Sequence, residues 1–310
     1  MNALLARLRC EDGQAVVFVV FGLMVMVAMA SLVIDGGSWR RTQRQVQTAA
    51  DAAALAGAQD IPNQATARAT ALDYAQRNFS GIAAPTVTFP SAGEIDVVAA
   101  KPVSGIFLPA LNATARAHSR AQVSVPLFMK NVAPVAVKNT VACAVTNPGC
   151  YGQTVTLAFD ESQVASSTIG LINLTCHSTA STACGSSSGI GGSQLKDWID
   201  NGYSDALPAN QWYGVKTGET VGPVKQGFND RVGTPLFFPV FDQTANAGSN
   251  YFFHIIGWAA FVIDSGGITW GPQGRSLTGH FTTFTATDLA AGDPISGATD
   301  FGVHVITLTQ

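Results

Sequence analysis

The sequence predicts an α+β fold: an N-terminal transmembrane helix and alanine-rich helices packed on a small sheet, followed by a β-rich, sandwich-like region. Three observations carry this reading. Ala15–Ile34 is an uncharged apolar run. The residues after it, up to Ile61, place small side chains at helical spacing. From about Val132 the helical period fades, and β-branched and aromatic runs alternate with Gly, Ser, Thr and Asn. A chain of 310 residues has room for an anchor and one or two domains. The expected divisions are a cytoplasmic N-terminus (1–14), an anchor (15–34), an α+β region (35–131) and an extracytoplasmic β-rich domain (132–310).

The anchor reads AVVFVVFGLMVMVAMASLVI. As a helix it spans about 30 Å, the thickness of the hydrocarbon core. A cleaved signal peptide is the competing reading. Arg7 and Arg9 make a basic start, and Ala28-Met29-Ala30 is a usable cleavage site. The run continues through Leu32, Val33 and Ile34, which favours a retained anchor. Arg40, Arg41 and Arg44 follow the span, so a bare count of positive charges favours the reverse orientation. The cysteines of the C-terminal part favour placing that part outside the cytoplasm, and this is the expected topology.

Asp35-Gly36-Gly37 marks the exit from the bilayer, where the two glycines permit a bend or a continuous helix. Helix then runs to Ile61 and stops at Pro62. Val46, Ala50, Ala53, Ala54, Gly57 and Ala58 share one face, so small that another helix can approach it closely. Gln43, Gln47 and Asp51 form a polar row nearby. A second helix is expected over Asn63–Phe79, through Ala67, Ala71, Leu72 and Ala75.

These features come in one order: Gly13-Gln14, the apolar span, Val33-Ile34-Asp35-Gly36-Gly37, Arg40-Arg41, Gln47, then Ala49-Ala50-Asp51-Ala52-Ala53-Ala54-Leu55-Ala56-Gly57-Ala58. The layout resembles the N-terminal region of the TadE/TadG-like proteins of bacterial tight-adherence (Flp-type) pilus assembly. The resemblance covers about the first 60 residues. It implies a pseudopilin-like envelope protein and not an enzyme. Its motif and helix-docking residues would be Asp35, Gly36, Gln47, Ala50, Asp51, Ala53, Ala54, Leu55 and Gly57. The implied partners are the bacterial inner membrane and other pilus-assembly proteins or pseudopilins. Prepilins proper carry a cleavage-site glycine and a glutamate at the fifth mature position. Here the fifth residue after Gly13 is Phe18, a departure that favours the unprocessed, TadG-like kind. Thr220–Val224, Asn229–Val232, Phe238–Asp242 and Ile256–Phe261 more loosely resemble downstream blocks of longer family members.

Strands are expected at Thr86–Phe89, Ile95–Ala99, Thr154–Phe159, Ile169–Leu174, Pro235–Phe241, Tyr251–Ile263, Phe281–Ala286 and Val303–Thr309. Ala113–Val125 reads as one strand or a pair. Short helices are expected at Ser104–Leu111 and Gln194–Asn201. Cys143, Cys150, Cys176 and Cys184 fall in two close couples whose spacings do not match zinc knuckles. Four cysteines allow three pairings. Local disulfides, Cys143–Cys150 and Cys176–Cys184, suit an oxidising compartment, with the Ser/Gly-rich Ser178–Gly192 as a stapled loop; free buried thiols are the alternative.

Other chemistry is mostly excluded. The net charge of -3 gives no basic footprint for nucleic acid. No H-E-x-x-H, calcium loop or G-K-[ST] pattern occurs, so no metal, cofactor or small-molecule substrate is expected. His254, His280 and His304 could meet across a sheet, but ordinary strand histidines are the favoured reading. Trp198, Trp212, Tyr203 and Tyr213 offer a sugar or protein surface, or pack under loops. The expected function is a membrane-anchored structural or assembly component of a Flp-type pilus or related envelope system. The alternative is a secreted or surface-exposed binding module released by signal cleavage.

Overall fold

A computed structural model of the chain describes residues 2–61, 63–107, 112–144, 147–160, 164, 166–181, 190–216, 221–247, 250–271, 274–286, 291–294 and 300–309. They fall into two compact units. One comprises Met1–Pro90, Ile95–Ala121 and Leu308–Gln310; the other comprises Ser91–Glu94 and Gln122–Thr307.

The first unit is built on α1 (Asn2–Ala58), roughly 85 Å long at 1.5 Å per residue. The helix runs without a break through Gly36 and Gly37, which settles the choice between bend and continuity. Each glycine costs about 1 kcal/mol relative to alanine in a helix, and the buried alanine-rich stretch that follows offsets that cost. Beyond a turn over Ile61, Asn63 opens α2 (Gln64–Asn78), its Oδ1 accepting from the Thr66 N–H at 3.2 Å. Ala67, Ala71 and Ala75, each four residues apart, form the buried stripe of α2.

The helices pack on β1 (Thr86–Thr88), β2 (Glu94–Ser104) and β3 (Asn112–Pro126). β1 and β2 are antiparallel with Val87 opposite Val97, and β3 lies on the other side of β2. Alternation along the strands turns Val87, Ile95, Val97, Ala99, Ala115 and Ala117 inward. Val46, Ala50, Ala99, Ala115 and Ala117 meet in one core of small side chains, edged by Phe79, Ile82 and Val103. Ala113–Val125 is thus one strand. The short helix expected at Ser104–Leu111 does not form where the chain is described: β2 runs through Ser104, and 105–107 are not helical. Residues 108–111 lie outside the described residues.

The second unit is β-rich, so the chain is α+β with most of its strands in the C-terminal part. Seven strands form its main sheet: β5 (Val135–Lys138), β6 (Thr154–Phe159), β7 (Ile169–Ser178), β9 (Gln211–Val215), β10 (Pro235–Ala247), β11 (Asn250–Gly271) and β12 (Gly274–Thr282). Their order is β10-β5-β7-β9-β11-β12-β6. β10 also pairs with β11, so the path closes on itself through β5, β7 and β9. β4 (Phe128–Met129) pairs with β8 (Leu207–Pro208), β13 (Phe284–Thr285) with β15 (Val303–Leu308), and β14 (Ala291–Pro294) with the end of β3.

Large rings fill this sheet. Phe241 stacks on Phe253 at 3.9 Å between centroids, and Phe261 lies between Phe238 and Phe281 at 5.4 and 5.0 Å. Two amphipathic helices add to the core: α3 (Gly192–Asp200) through Leu195, Trp198 and Ile199, and α4 (Val221–Asp230) through Val224 and Phe228. Arg231 donates to the carbonyls of Ile199 and Asp200, satisfying the end of α3.

Candidate functional site

The apolar stretch of α1 is exposed along its length, from Val16 at 61 % through Phe18 at 75 % to Val33 at 73 %. By length and composition it can cross a membrane. In water, each large side chain left exposed forgoes about 1.5–3 kcal/mol of burial. Ser31 is the polar group inside the stretch, and its hydroxyl donates back to the Val27 carbonyl at 2.7 Å. That bond satisfies the hydroxyl within an otherwise apolar stretch.

At the end of the stretch Asp35 is buried, and its carboxylate has a partner distant in sequence. Oδ1 accepts from the Ile106 N–H at 2.7 Å, and Oδ2 accepts from the Phe107 N–H at 3.2 Å. Asp35 therefore fastens the loop after β2 to the helix. Two turns on, the polar row binds the backbone of β3 at Arg116 and His118. The Gln43 amide accepts from the Arg116 N–H at 3.2 Å and donates to the Arg116 carbonyl, as a neighbouring strand would. Gln47 donates to the His118 carbonyl at 3.2 Å and to Asp51 Oδ1 at 2.8 Å. An amide is suited to this place because it offers both a donor and an acceptor to the strand backbone. The spacing of Gln43 and Gln47 showed that they share a face; the strand they bind is fixed only by the fold.

The small-residue face is taken up within the chain. Ala50, Ala53 and Ala54 are fully buried, and Leu55 and Asp51 are partly covered at the margin. A Cβ added at Gly57 would lie 2.5 Å from Ile95 Cδ1, 2.8 Å from the Ala67 carbonyl oxygen and 3.0 Å from Ala71 Cβ. The close helix approach that the sequence offered to another chain is thus made by α2 and β2 of the same chain. Gly36, by contrast, is exposed with open space around it.

Cys143 and Cys150 are joined by a disulfide, with their Cα atoms 5.7 Å apart. Cys176 is also disulfide-bonded. Cys184 and most of Ser178–Gly192 lie outside the described residues. The strand histidines do not meet one another; each has its own aspartate. His254 pairs with Asp242 at 2.8 Å, His280 with Asp264 at 2.9 Å, and the buried His304 with Asp300 at 2.6 Å. Asp242 lies on β10, Asp264 on β11 and Asp300 ahead of β15, so these are three separate pairs, in keeping with ordinary strand histidines. Among the described residues no three His, Cys, Asp or Glu side chains gather to hold a metal ion. Trp198 packs edge-on to Tyr203 at 5.3 Å and Tyr213 is fully buried, so all three serve packing.

One cavity of about 310 Å³ lies in the second unit, lined in part by Asn210, Asp242, Ile256, Trp258 and Phe301. Asp242 and Ile256 are the extra residues of two compensating bulges between β10 and β11, flanking the pair Phe241 and Ile255. Its carboxylate is already engaged by His254, and the indole N–H of Trp258 is sealed in the core without a partner among the described residues.

Residues 13–60 match the model of the putative Flp pilus-assembly TadE/G-like family. The match takes in the apolar stretch, Asp35, the glutamine row and the small-residue face, and it stops short of the downstream blocks. No curated protein and no solved structure matches the chain.

Proposed function

We propose that this chain is a membrane-anchored structural component of a Flp-type pilus-assembly system, with Ala15–Ile34 spanning the cytoplasmic membrane and residues from Asp35 onward outside the cytoplasm. The observation that supports this best is a single unbroken helix: one half is bare and apolar, the other is built into a folded unit, and both halves lie within the TadE/G-like match. In this reading the motif residues have structural duties. Asp35 and the glutamines tie the helix to loop and strand, and the small residues seat α2. Contacts with other pilus-assembly proteins then use outer surfaces of the two units, and the role is non-enzymatic.

Carbonate washing of membranes and N-terminal sequencing test the reading. A retained protein whose N-terminus precedes Ala15 is expected, together with co-isolation of other pilus components after mild detergent extraction. A soluble protein beginning at Ser31 would instead establish the secreted binding module.

A further inference from the structure

We infer that the loop Gly105–Phe107 is a second membrane contact, resting in the lipid headgroup region beside the point where α1 leaves the bilayer. The inference builds on the proposal that Ala15–Ile34 is a span. Three observations place the loop at that level. First, Asp35 follows the apolar stretch directly, and its carboxylate holds the Ile106 and Phe107 N–H groups at 2.7 and 3.2 Å. The loop backbone therefore sits at the height of the helix exit. Second, Ile106 and Phe107 are 65 % and 53 % exposed, two large apolar side chains next to each other at that height. Third, Ser31 is buried although it lies one turn deeper than Asp35, about 6 Å further along the helix axis. Protein thus already covers the helix below the exit.

The surroundings match a lipid boundary. Trp39 is 41 % exposed one turn above Asp35, and Arg40, Arg41 and Arg44 are exposed beyond it. An indole at headgroup depth and arginines facing lipid phosphates are the usual company of an interfacial element. The partner is therefore a phospholipid surface. Burying the Asp35 carboxylate at this depth is tolerable because backbone N–H groups satisfy it. It also fixes how the helix is turned about its axis, since only the face carrying Ser31 and Asp35 can point toward the loop.

The test uses full-length protein in phosphatidylethanolamine–phosphatidylglycerol vesicles, in a Cys10→Ser background. An environment-sensitive fluorophore is attached at Phe107→Cys, at Val25→Cys in mid-span, or at Gln59→Cys, roughly 35 Å beyond Asp35. Lipids carrying a nitroxide near the headgroup are expected to quench the probe at 107 several-fold more than that at 59. Adding Asp35→Ala is expected to remove most of that difference while leaving the mid-span reading unchanged. If deep nitroxides quench at 25 but the probe at 107 behaves like that at 59, the loop proposal falls and the anchor stands. If neither 25 nor 107 is quenched, the anchor reading falls with it. A probe at 107 shielded from both lipid nitroxide and aqueous iodide is covered by protein, which also overturns the proposal.

Discussion

The two units bury opposite kinds of side chain. The first is closed by Ala50, Ala53, Ala54, Gly57, Ala67, Ala71 and Ala75, with strand alanines below them. The second is closed by rings, among them Phe228, Phe238, Phe241, Phe253, Phe261 and Tyr213. Alanine contacts bury little area each, and their benefit comes from how closely the backbones approach. Aromatic contacts bury much area and tolerate wider spacing. The first unit is therefore sensitive to added atoms and the second to removed ones.

The largest expected effect is on the aromatic side. Phe261→Ala empties a fully buried position between two rings and is expected to cost about 3–5 kcal/mol. Hydrogen exchange should show β10–β12 losing protection while α1 and α2 keep theirs. Equal loss in both units would break the distinction drawn between them. Gly57→Ala adds one methyl group and is expected to cost about 1–3 kcal/mol, because the Ala67 carbonyl that it meets is backbone and cannot rotate away. Its loss of protection should be confined to α1, α2 and β2; an unchanged midpoint would show that the helices are not in tight contact.

Acid sharpens the comparison further. Burial alone would raise the pKa of Asp96, but hydrogen bonds from His118 at 2.8 Å and Arg120 at 3.0 Å outweigh it and hold the carboxyl below its ordinary value. A depressed carboxylate contributes stability that is present above its unfolded pKa, about 3.9, and is lost as pH falls through the folded value. The first unit should therefore weaken below about pH 4. Asp96→Asn should cost about 1 kcal/mol at neutral pH and flatten the acid limb of its unfolding curve. The smallest effect has the opposite sign. Gly36→Ala, on the same helix as Gly57 but in open space, should stabilise by about 0.5–1 kcal/mol in a thermal melt in detergent.

Much of the first unit was legible because its pattern is local. The helical spacing of small residues and the stop before Pro62 both lie within a few positions of what they determine. What Gln43, Asp35 and Gly57 touch was not legible, since their partners are some 70 residues away or on the next helix. In the second unit Thr154–Phe159 has the expected limits because a β-branched and apolar run is bounded by polar residues. β11 outruns its expected end at Ile263 and continues to Gly271. Asp264-Ser265-Gly266-Gly267 reads as a turn, yet it is an irregularity inside the strand: a Cβ at Gly267 would run into the Thr278 carbonyl of β12, so only glycine lets the strands stay together. α4 was missed because Gly222, Pro223 and Gly227 mask a helix; Gly227 is needed where α4 passes Ile199 of α3.

The arginine count and the disulfides disagree about which side of a membrane the folded units would occupy. Protease protection of a C-terminal tag decides it. If α1 anchors the chain with its body outside the cytoplasm, the tag is digested on spheroplasts and protected in inside-out vesicles. Digestion in inside-out vesicles with protection on spheroplasts, or a tag released into the soluble fraction of both, would contradict it.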